Sequence, residues 1–263
     1  MLLPSHPVLA ANDRTAVVQA LRERLAGTAG GGQAGPLMYF GVPALDRRLP
    51  RGGLALDALH EIVPAHAGMM PVAFGFMVAL MGRIASVVPF PAPAVLVIAA
   101  NTGLGALPYG HGLMELGLDP GRLMLVEAHD DAEALWALEE ALRVGEPAVV
   151  AGLCGRGLDL TMSRRLQLAA GEARRTLLLL RPAEALAASA AATRWRIGPA
   201  PGRRDEFGLL SGWCWHVALE RCRNGQTGEW ILEWDHDTYC FGVAAALAGA
   251  AFPDGAEAPA RVA

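Results

Sequence analysis

Three short apolar runs without polar interruptions limit what this 263-residue chain can fold into. They are AVLVIAA at 94–100, AVVAGL at 148–153 and TLLLL at Thr176–Leu180. Strands of this kind are typical of a parallel sheet that is covered on both faces. Amphipathic segments typical of helices lie between them, as at 131–143, where Asp130 or Asp131 is the expected cap. The alternation predicts an α/β fold with a mainly parallel central sheet and helices on both faces.

Two runs near the C-terminus alternate polar and apolar residues instead. Residues 215–222 and 228–234 flank Asn224-Gly225, which favours a tight turn, so we expect an antiparallel hairpin. Residues 1–35 are predicted to hold a helix at 14–25 and a glycine-rich linker, and this helix could pack on its own chain or on a neighbouring molecule. Residues 36–248 form the predicted core domain, and 249–263 a disordered tail rich in Ala, Pro and Gly.

Charge, cysteine content and apolar length exclude several classes of protein. A net charge of −4 gives no global field that would attract nucleic acid. The four cysteines form no C-x-x-C pair, which is typical of reduced thiols in a cytoplasmic protein. Arg83 and three prolines interrupt the apolar run at 72–100, which therefore predicts a buried helix and a buried strand, and no membrane span. The histidines and cysteines lack the spacing of a metal site.

A frame of glycines and leucines at 41–54 has the spacing G-x-x-x-L-D-x-x-L-x-x-G-G-L, and a short strand is predicted after it, at 58–63. This spacing resembles the RecA recombinase family, in which it leads through a strand into a phosphate-binding loop. We interpret Asp46, Gly52 and Gly53 as scaffold residues that shape the turn into the sheet. The expected loop position consists of Pro64, Ala65, His66, Ala67, Gly68, Met69 and Met70.

This segment lacks the groups that bind a nucleotide. Phosphate loops use the backbone N–H groups of a glycine-rich turn, a lysine ammonium, and a Ser/Thr hydroxyl that holds magnesium. Gly68 is the only glycine here, Pro71 has no N–H group, and all 22 basic residues of the chain are arginine. Arginine does not replace a buried lysine, because its planar guanidinium binds differently. A GC-rich genome also lowers lysine content, but it would not remove a lysine that catalysis required.

Two carboxylates expected of a RecA-type ATPase are also missing. A magnesium-binding acid would end the strand at 148–153, but no acid occurs from 147 to 158. A general-base glutamate would follow the strand at 94–100, where Asn101-Thr102-Gly103 stand instead. We therefore expect no catalysis and no bound cofactor. The connections at 154–158 and 181–192 are short for DNA-binding loops, which argues against a recombinase-type filament on DNA.

Further blocks resemble the ImuA family of DNA-damage-inducible bacterial proteins, which are relatives of RecA. They are GLDPGRLMLVEAHDDAEALWALEEAL at 117–142, WHVALERCRNGQTGEWILEW at 215–234, HEI at 60–62 and RWRI at 194–197. The resemblance covers residues 41–241 and implies a RecA-like fold. It also implies a role in SOS mutagenesis, in translesion synthesis beside ImuB, an inactive Y-family polymerase relative, and an error-prone replicative-type polymerase. RecA is a further candidate partner, and any DNA contact would be indirect or weak.

Two alternatives to this accessory role stay open. Some family names point to an inhibitor of cell division that the SOS response induces. The other alternative is an ATP-binding, DNA-binding ATPase that takes its catalytic groups from elsewhere.

The C-terminal third holds the residues that we expect at a partner or DNA contact. Its arginines include alternate positions on strands, which share a face. Its tryptophans also suit an interface, because Trp and Arg are common anchors of protein contacts. The structural alternatives are solvated arginines at strand edges and tryptophans of the core. The candidate residues are Arg194, Arg196, Arg203, Arg204, Trp215, Arg221, Arg223, Trp230 and Trp234.

Overall fold

A computed structural model of the chain describes residues 35–88, 92–100, 102, 104, 107–155, 158–184, 188–204 and 206–244. The predicted helix at 14–25 and the predicted tail at 249–263 lie outside the described residues. Contacts divide the chain into two compact units, Met1–Pro36 and Leu37–Ala263. The elements below belong to the second unit.

The described residues form twelve strands, which in chain order are β1 (Leu37–Met38), β2 (Leu54–Ala55), β3 (Leu59–Pro64), β4 (Ala94–Ala99), β5 (Leu123–Ala128), β6 (Val149–Leu153), β7 (Thr176–Leu180), β8 (Thr193–Pro199), β9 (Arg203–Arg204), β10 (Leu210–Cys222), β11 (Gly228–Asp235) and β12 (Cys240–Val243). Ten of them make one sheet in the order β12-β11-β10-β8-β3-β7-β6-β4-β5, with β9 paired to β10. Neighbouring strands in the series β8, β3, β7, β6, β4, β5 pair in parallel. The pairs that involve β10, β11 or β12 are antiparallel. The predicted α/β fold with a mainly parallel sheet and a C-terminal hairpin is confirmed.

Helices connect the parallel strands, and two of them begin at an aspartate cap, of which the one that follows β5 is predicted. Asp130 Oδ1 accepts a hydrogen bond from the N–H group of Glu133 at 2.9 Å, and Asp159 Oδ1 accepts one from Met162 at 2.7 Å. Each of these carboxylates satisfies a backbone donor that the first turn of the helix leaves unpaired. The helices of the described chain are α1 (Pro43–Asp46), α2 (Met70–Val87), α3 (Gly110–Glu115), α4 (Asp131–Val144) and α5 (Leu160–Ala173).

Side chains of the parallel strands alternate between two apolar cores, one on each face of the sheet. On β7, Leu178 and Leu180 belong to the first core, together with α2 and the aromatic residues of β8 and β10. Leu177 and Leu179 belong to the second core, together with α4 and α5. Because successive side chains of a strand point to opposite faces, a strand between two cores is apolar at every position.

The helix α2 is a core helix, as predicted. Ten of its 18 residues are buried, among them Phe76 and Met77. Together with the turn before it, the segment Ala67–Val87 has the length and hydropathy of a membrane-spanning helix, but 61% of its most apolar stretch is buried inside the protein. Packing against the sheet therefore accounts for its apolar composition.

The glycine and leucine frame before β3 builds a compact turn. Asp46 accepts hydrogen bonds from the N–H groups of Phe40 at 2.9 Å and Gly41 at 3.1 Å. Gly41 has a φ of +80°, in the left-handed region that favours glycine, and a Cβ on Gly53 would lie 3.0 Å from the carbonyl oxygen of Met38. The leucines of the frame pack in the first core, and they are Leu45, Leu49 and Leu54. These contacts explain the spacing of the frame without a nucleotide.

Candidate functional site

Residues 64–70, the expected position of a phosphate loop, pass almost directly from strand to helix. Between β3 and α2 stand five residues, of which Ala67–Met69 form a single turn. The N–H group of Ala65 already donates to the carbonyl oxygen of Ile197 at 2.7 Å. Pro71 contributes no donor to the first turn of α2. The segment therefore offers few of the backbone N–H groups that cradle a phosphate.

A cavity of about 700 Å³ opens beside this segment. Residues that follow β3, β5, β6 and β7 line it, together with the last residue of β4, so it lies at the carboxyl ends of the parallel strands. Ligands of open α/β sheets bind in such a crevice, and the volume suits a small molecule. The residues that line the cavity include Met70, Thr102, Asp130, Asp131, Gly155 and Glu184.

The described lining of the cavity is acidic. Asp130, Asp131 and Glu184 line it, and none of the described lining residues is basic. Asp131 Oδ1 accepts a hydrogen bond from the N–H group of Gly155 at 2.6 Å, which joins the start of α4 to the end of β6. The sequence predicts Asp130 or Asp131 only as a helix cap. Their place in the cavity could have been predicted from the sequence, because both residues follow a strand whose carboxyl end lies at this crevice. Carboxylates at this place repel a phosphate group.

The end of β6, where a magnesium-binding acid would stand, holds a buried thiol. Burial, with a smaller contribution from the Asp131 carboxylate, raises the pKa of Cys154 to about 12, although the Arg181 guanidinium opposes this shift. The thiol therefore stays protonated at neutral pH and is a poor nucleophile and a poor metal ligand. Across the described ranges, no group of three or more His, Cys, Asp or Glu side chains is arranged to hold a metal ion.

The histidine of the HEI motif belongs to a buried network. His60 Nε2 lies 2.8 Å from the carbonyl oxygen of Ala55, and Nδ1 lies 2.8 Å from Oγ1 of Thr193. Burial lowers the pKa of His60 to about 4, so the ring is neutral. Since a carbonyl only accepts, Nε2 carries the proton and Nδ1 accepts from the Thr193 hydroxyl, whose oxygen accepts from Trp195 Nε1 at 2.7 Å. The network joins β3 to β8 and has no free catalytic group.

The glutamate of the same motif lies between two arginines. Glu61 Oε1 accepts from Nη1 of Arg181 at 3.0 Å, and Oε2 lies 2.7 Å from Nη2 of Arg194. Arg181 also donates to the carbonyl oxygen of Leu158 at 3.1 Å. The side chains of Glu61 and Arg181 are buried, and that of Arg194 is 13% exposed. Arg194, which the sequence predicts at a partner contact, instead pairs with the interior.

Two further arginines of the predicted contact region are paired with carboxylates on the same surface. Arg196 forms an ion pair with Glu220, and Arg203 lies 2.9 Å from a carboxylate oxygen of Glu233. These pairs make a surface of compensated charge, which weakens the attraction for a DNA backbone. A partner or DNA contact by the exposed arginines stays a prediction. Exposed at the surface are Arg203, Arg204, Arg221 and Arg223.

Two tryptophans of the predicted contact region belong to the core. Trp215 is 3% exposed and Trp234 is 1% exposed, and both make edge-on contacts with phenylalanine rings. Trp230 is partly buried against the same core. The prediction that Trp215 and Trp234 reach a partner is wrong for the folded chain, because packing encloses their rings. Trp213, a further tryptophan of the same region that the sequence suggests for a partner contact, is 47% exposed, and Trp136 on α4 is 62% exposed.

Comparison with known proteins identifies the family. No protein-family model matches the chain. Protein ImuA of Caulobacter vibrioides (strain NA1000 / CB15N) is 36% identical over 215 residues, which cover 75% of this chain and 83% of the relative. Protein ImuA of Caulobacter vibrioides (strain ATCC 19089 / CIP 103742 / CB 15) has the same identity and coverage. Because this identity extends over most of both sequences, the chain belongs to the ImuA family.

Proposed function

We propose that this protein is a non-catalytic accessory component of damage-induced mutagenesis, built on a RecA-like scaffold that acts through protein contacts. Membership of the ImuA family supports the role in mutagenesis. The family resemblance implies the partners, an ImuB-type Y-family polymerase relative and an error-prone replicative-type polymerase. The order of the parallel strands, with helices on both faces, supports the RecA-like scaffold.

One observation carries the non-catalytic part of the proposal, namely the acidic lining of the cavity at the strand ends. Asp130, Asp131 and Glu184 line the space that a triphosphate would occupy, and no described lining residue is basic. Two like charges 4 Å apart repel by about 4 kcal/mol at an effective dielectric constant of about 20. A nucleotide would therefore need compensating cations, and the chain has no lysine to supply one.

The internal contacts of the former nucleotide region support the same proposal. Asp46 holds the turn before β3, His60 links β3 to β8, and Glu61 joins β3 to β7 and β8. Each of these polar groups has a partner within the protein. These groups therefore need no ligand to satisfy them, which supports a scaffold that acts through its surfaces.

Equilibrium binding of a fluorescent ATP analogue to the full chain, with and without magnesium, tests this proposal. We expect no saturable binding at micromolar concentrations, because the cavity repels phosphates. Micromolar, magnesium-dependent binding, or ATP turnover that survives purification, would overturn the non-catalytic proposal. The variant Asp130→Asn with Glu184→Gln removes two charges, and Asn keeps the helix cap. It should bind the analogue more tightly than the native chain if the acidic lining excludes nucleotides.

A genetic measurement tests the role in mutagenesis. Deletion of the gene should lower the mutation frequency after DNA damage, and the native gene should restore it. If the protein instead inhibits cell division, overexpression should filament cells, and deletion should leave the induced mutation frequency unchanged. That second result would overturn the proposed role.

A further inference from the structure

The strand β5 lies at the end of the parallel half of the sheet. Among the described residues, β5 pairs only with β4, and the register between the two is regular over six residues. Its sequence, LMLVEA, has no proline and no basic residue. Natural sheets usually protect such an edge with prolines, charged side chains, bulges, very short strands or a covering helix or loop. Of the devices that lie on the strand itself, β5 has only the carboxylate of Glu127.

Apolar side chains are exposed along this edge. Met124 is 59% exposed and Leu125 is 37% exposed. Leu107, which is 53% exposed, shares with Glu127 a shallow cavity of about 300 Å³ beside the strand. Tyr109, which follows Leu107 closely in the chain, is 72% exposed. An apolar edge of this kind suits the addition of another strand.

The outward backbone groups of β5 can be assigned from one hydrogen bond. The carbonyl oxygen of Ala128 accepts a hydrogen bond from the N–H group of Ala100 at 3.0 Å, so the backbone groups of Ala128 point towards β4 and the residue that follows it. Along a strand, the N–H and C=O groups of one residue point to one side, and those of the next residue point to the other side. The backbone groups of Val126 therefore also point towards β4, whereas those of Leu125 and Glu127 point away from the sheet.

The charge around the edge indicates which kind of segment would bind. Between residues 115 and 133 the only arginine is Arg122, and its guanidinium donates to the carbonyl oxygen of Ala92 at 2.7 Å. Pairing with β5 of a second copy would bring the same acidic residues together and would be repelled. A basic segment would be attracted. The acidic residues that flank or belong to β5 are Glu115, Asp119, Glu127, Asp130, Asp131 and Glu133.

We propose that β5 is a docking edge for an extended, basic segment of a partner protein. The segment adds to the sheet beyond β5, forms main-chain hydrogen bonds with Leu125 and Glu127, and places its apolar side chains on the sheet face of the exposed Met124. Its arginine or lysine side chains alternate with these and therefore lie on the opposite face, beside the carboxylate of Glu127. This inference rests on the proposed function only in treating the chain as a protein that works by protein contacts.

Binding of a labelled synthetic peptide to the full chain tests the proposed edge. The probe has valine and arginine at alternate positions, and fluorescence anisotropy measures its binding. One comparison peptide has glutamate in place of arginine, and another has central prolines that cannot donate to a strand. We expect saturable binding of the basic peptide, and binding at least about tenfold weaker for the other two. Equal binding of the acidic or the proline peptide would overturn the proposal.

Variants of the chain locate the binding. Leu125→Pro removes an outward N–H group without touching the pairing with β4, and proline is tolerated on edge strands. Glu127→Arg reverses a charge on the edge, and Glu172→Arg makes the same change on the exposed surface of α5 as a control. We expect Leu125→Pro and Glu127→Arg to weaken binding and Glu172→Arg to leave it unchanged.

Equal binding by Glu127→Arg and the native chain would overturn the proposed edge. Circular dichroism shows whether Leu125→Pro still folds. If this variant does not fold, the binding measured with Glu127→Arg decides whether β5 is the docking edge. Peptide binding and damage-induced mutation frequency are independent measurements. A failure of the proposed edge and a failure of the proposed function are therefore distinguishable.

Discussion

Glu61 Oε1 accepts a hydrogen bond from Nη1 of Arg181 at 3.0 Å, and both side chains are buried. Arg194 bonds the other oxygen of the same carboxylate, so one acid on β3 bridges an arginine that follows β7 and an arginine on β8. A buried charge is tolerated only when it is paired and hydrogen-bonded. The three side chains therefore hold β3, β7 and β8 in register at the centre of the sheet.

Removal of this carboxylate should destabilise the fold. Glu61→Gln leaves two guanidinium groups without their counter-charge, and we expect a loss of about 3–5 kcal/mol in the free energy of unfolding. Urea unfolding followed by circular dichroism measures it. The matched control is Glu139→Gln, whose partners Arg143 and Arg165 are exposed, and it should cost less than about 1 kcal/mol. Equal losses for the two variants would contradict the importance of the buried group.

The buried His60 should make stability depend on pH. Burial lowers its pKa from 6.5 to about 4. The unfolded chain takes up a proton near pH 6.5, whereas the folded chain does so only near pH 4. The contribution of His60 is therefore complete above pH 6.5 and is lost as the pH falls towards 4, by about 3 kcal/mol over the whole window. Urea unfolding at pH 7.5, 5.5 and 4.5 measures this slope.

The variant His60→Gln is the control for that measurement. Its amide can still donate to the carbonyl oxygen of Ala55 but does not titrate in this range. We expect lower stability at pH 7.5 and a smaller dependence on pH than in the native chain. A variant with the native slope would show that other groups cause the effect.

The contact of α2 with the residues after α3 should not tolerate a methyl group. A Cβ on Gly82 would lie 2.7 Å from the carbonyl oxygen of Leu116 and 2.7 Å from the carbonyl carbon of Gly117. Alanine normally stabilises a helix by about 1 kcal/mol relative to glycine, but overpacking costs about 1–3 kcal/mol. We therefore expect Gly82→Ala to lower the melting temperature. Gly112→Ala on α3, where nothing lies within 4 Å, should keep or raise it, and the opposite order would refute the contact.

The aspartate of the glycine and leucine frame should be structural. Asp46→Ala removes the acceptor of two backbone hydrogen bonds, from Phe40 and Gly41, and should cost about 1–3 kcal/mol of stability. Asp46→Asn keeps one acceptor oxygen and should lose less. Thermal unfolding of the two variants measures the difference. If both variants were as stable as the native chain, the hydrogen bonds of Asp46 in this turn would not explain why the frame has an aspartate.

The predicted partner contact still depends on the exposed arginines, among them Arg221 and Arg223. Replacing both with alanine should weaken binding of the partner or of DNA, while stability changes by less than about 1 kcal/mol at this exposed site. Pull-down with the purified partner and anisotropy with labelled DNA measure the two interactions. If neither changes, the positive patch is not a binding surface.

Local patterns were sufficient to predict most of the described elements. The apolar run TLLLL corresponds to β7, and the segments around Asn224 correspond to β10 and β11. Asp130, one of the two predicted caps, precedes α4 as its cap. Strand pattern, turn residues and caps act over a few neighbouring residues, so they can be read along the chain.

The sequence by itself determined the parallel sheet, the hairpin and the loss of the phosphate-binding groups, because each of these depends on residue types at short spacing. Only the tertiary structure decided which charges meet. It paired Arg194 with Glu61, enclosed Trp215 and Trp234, brought Asp130, Asp131 and Glu184 to one cavity, and placed β5 last in the sheet that the described residues form. These relationships join residues that are far apart in the chain, and no local pattern specifies which distant strand end or side chain becomes a neighbour.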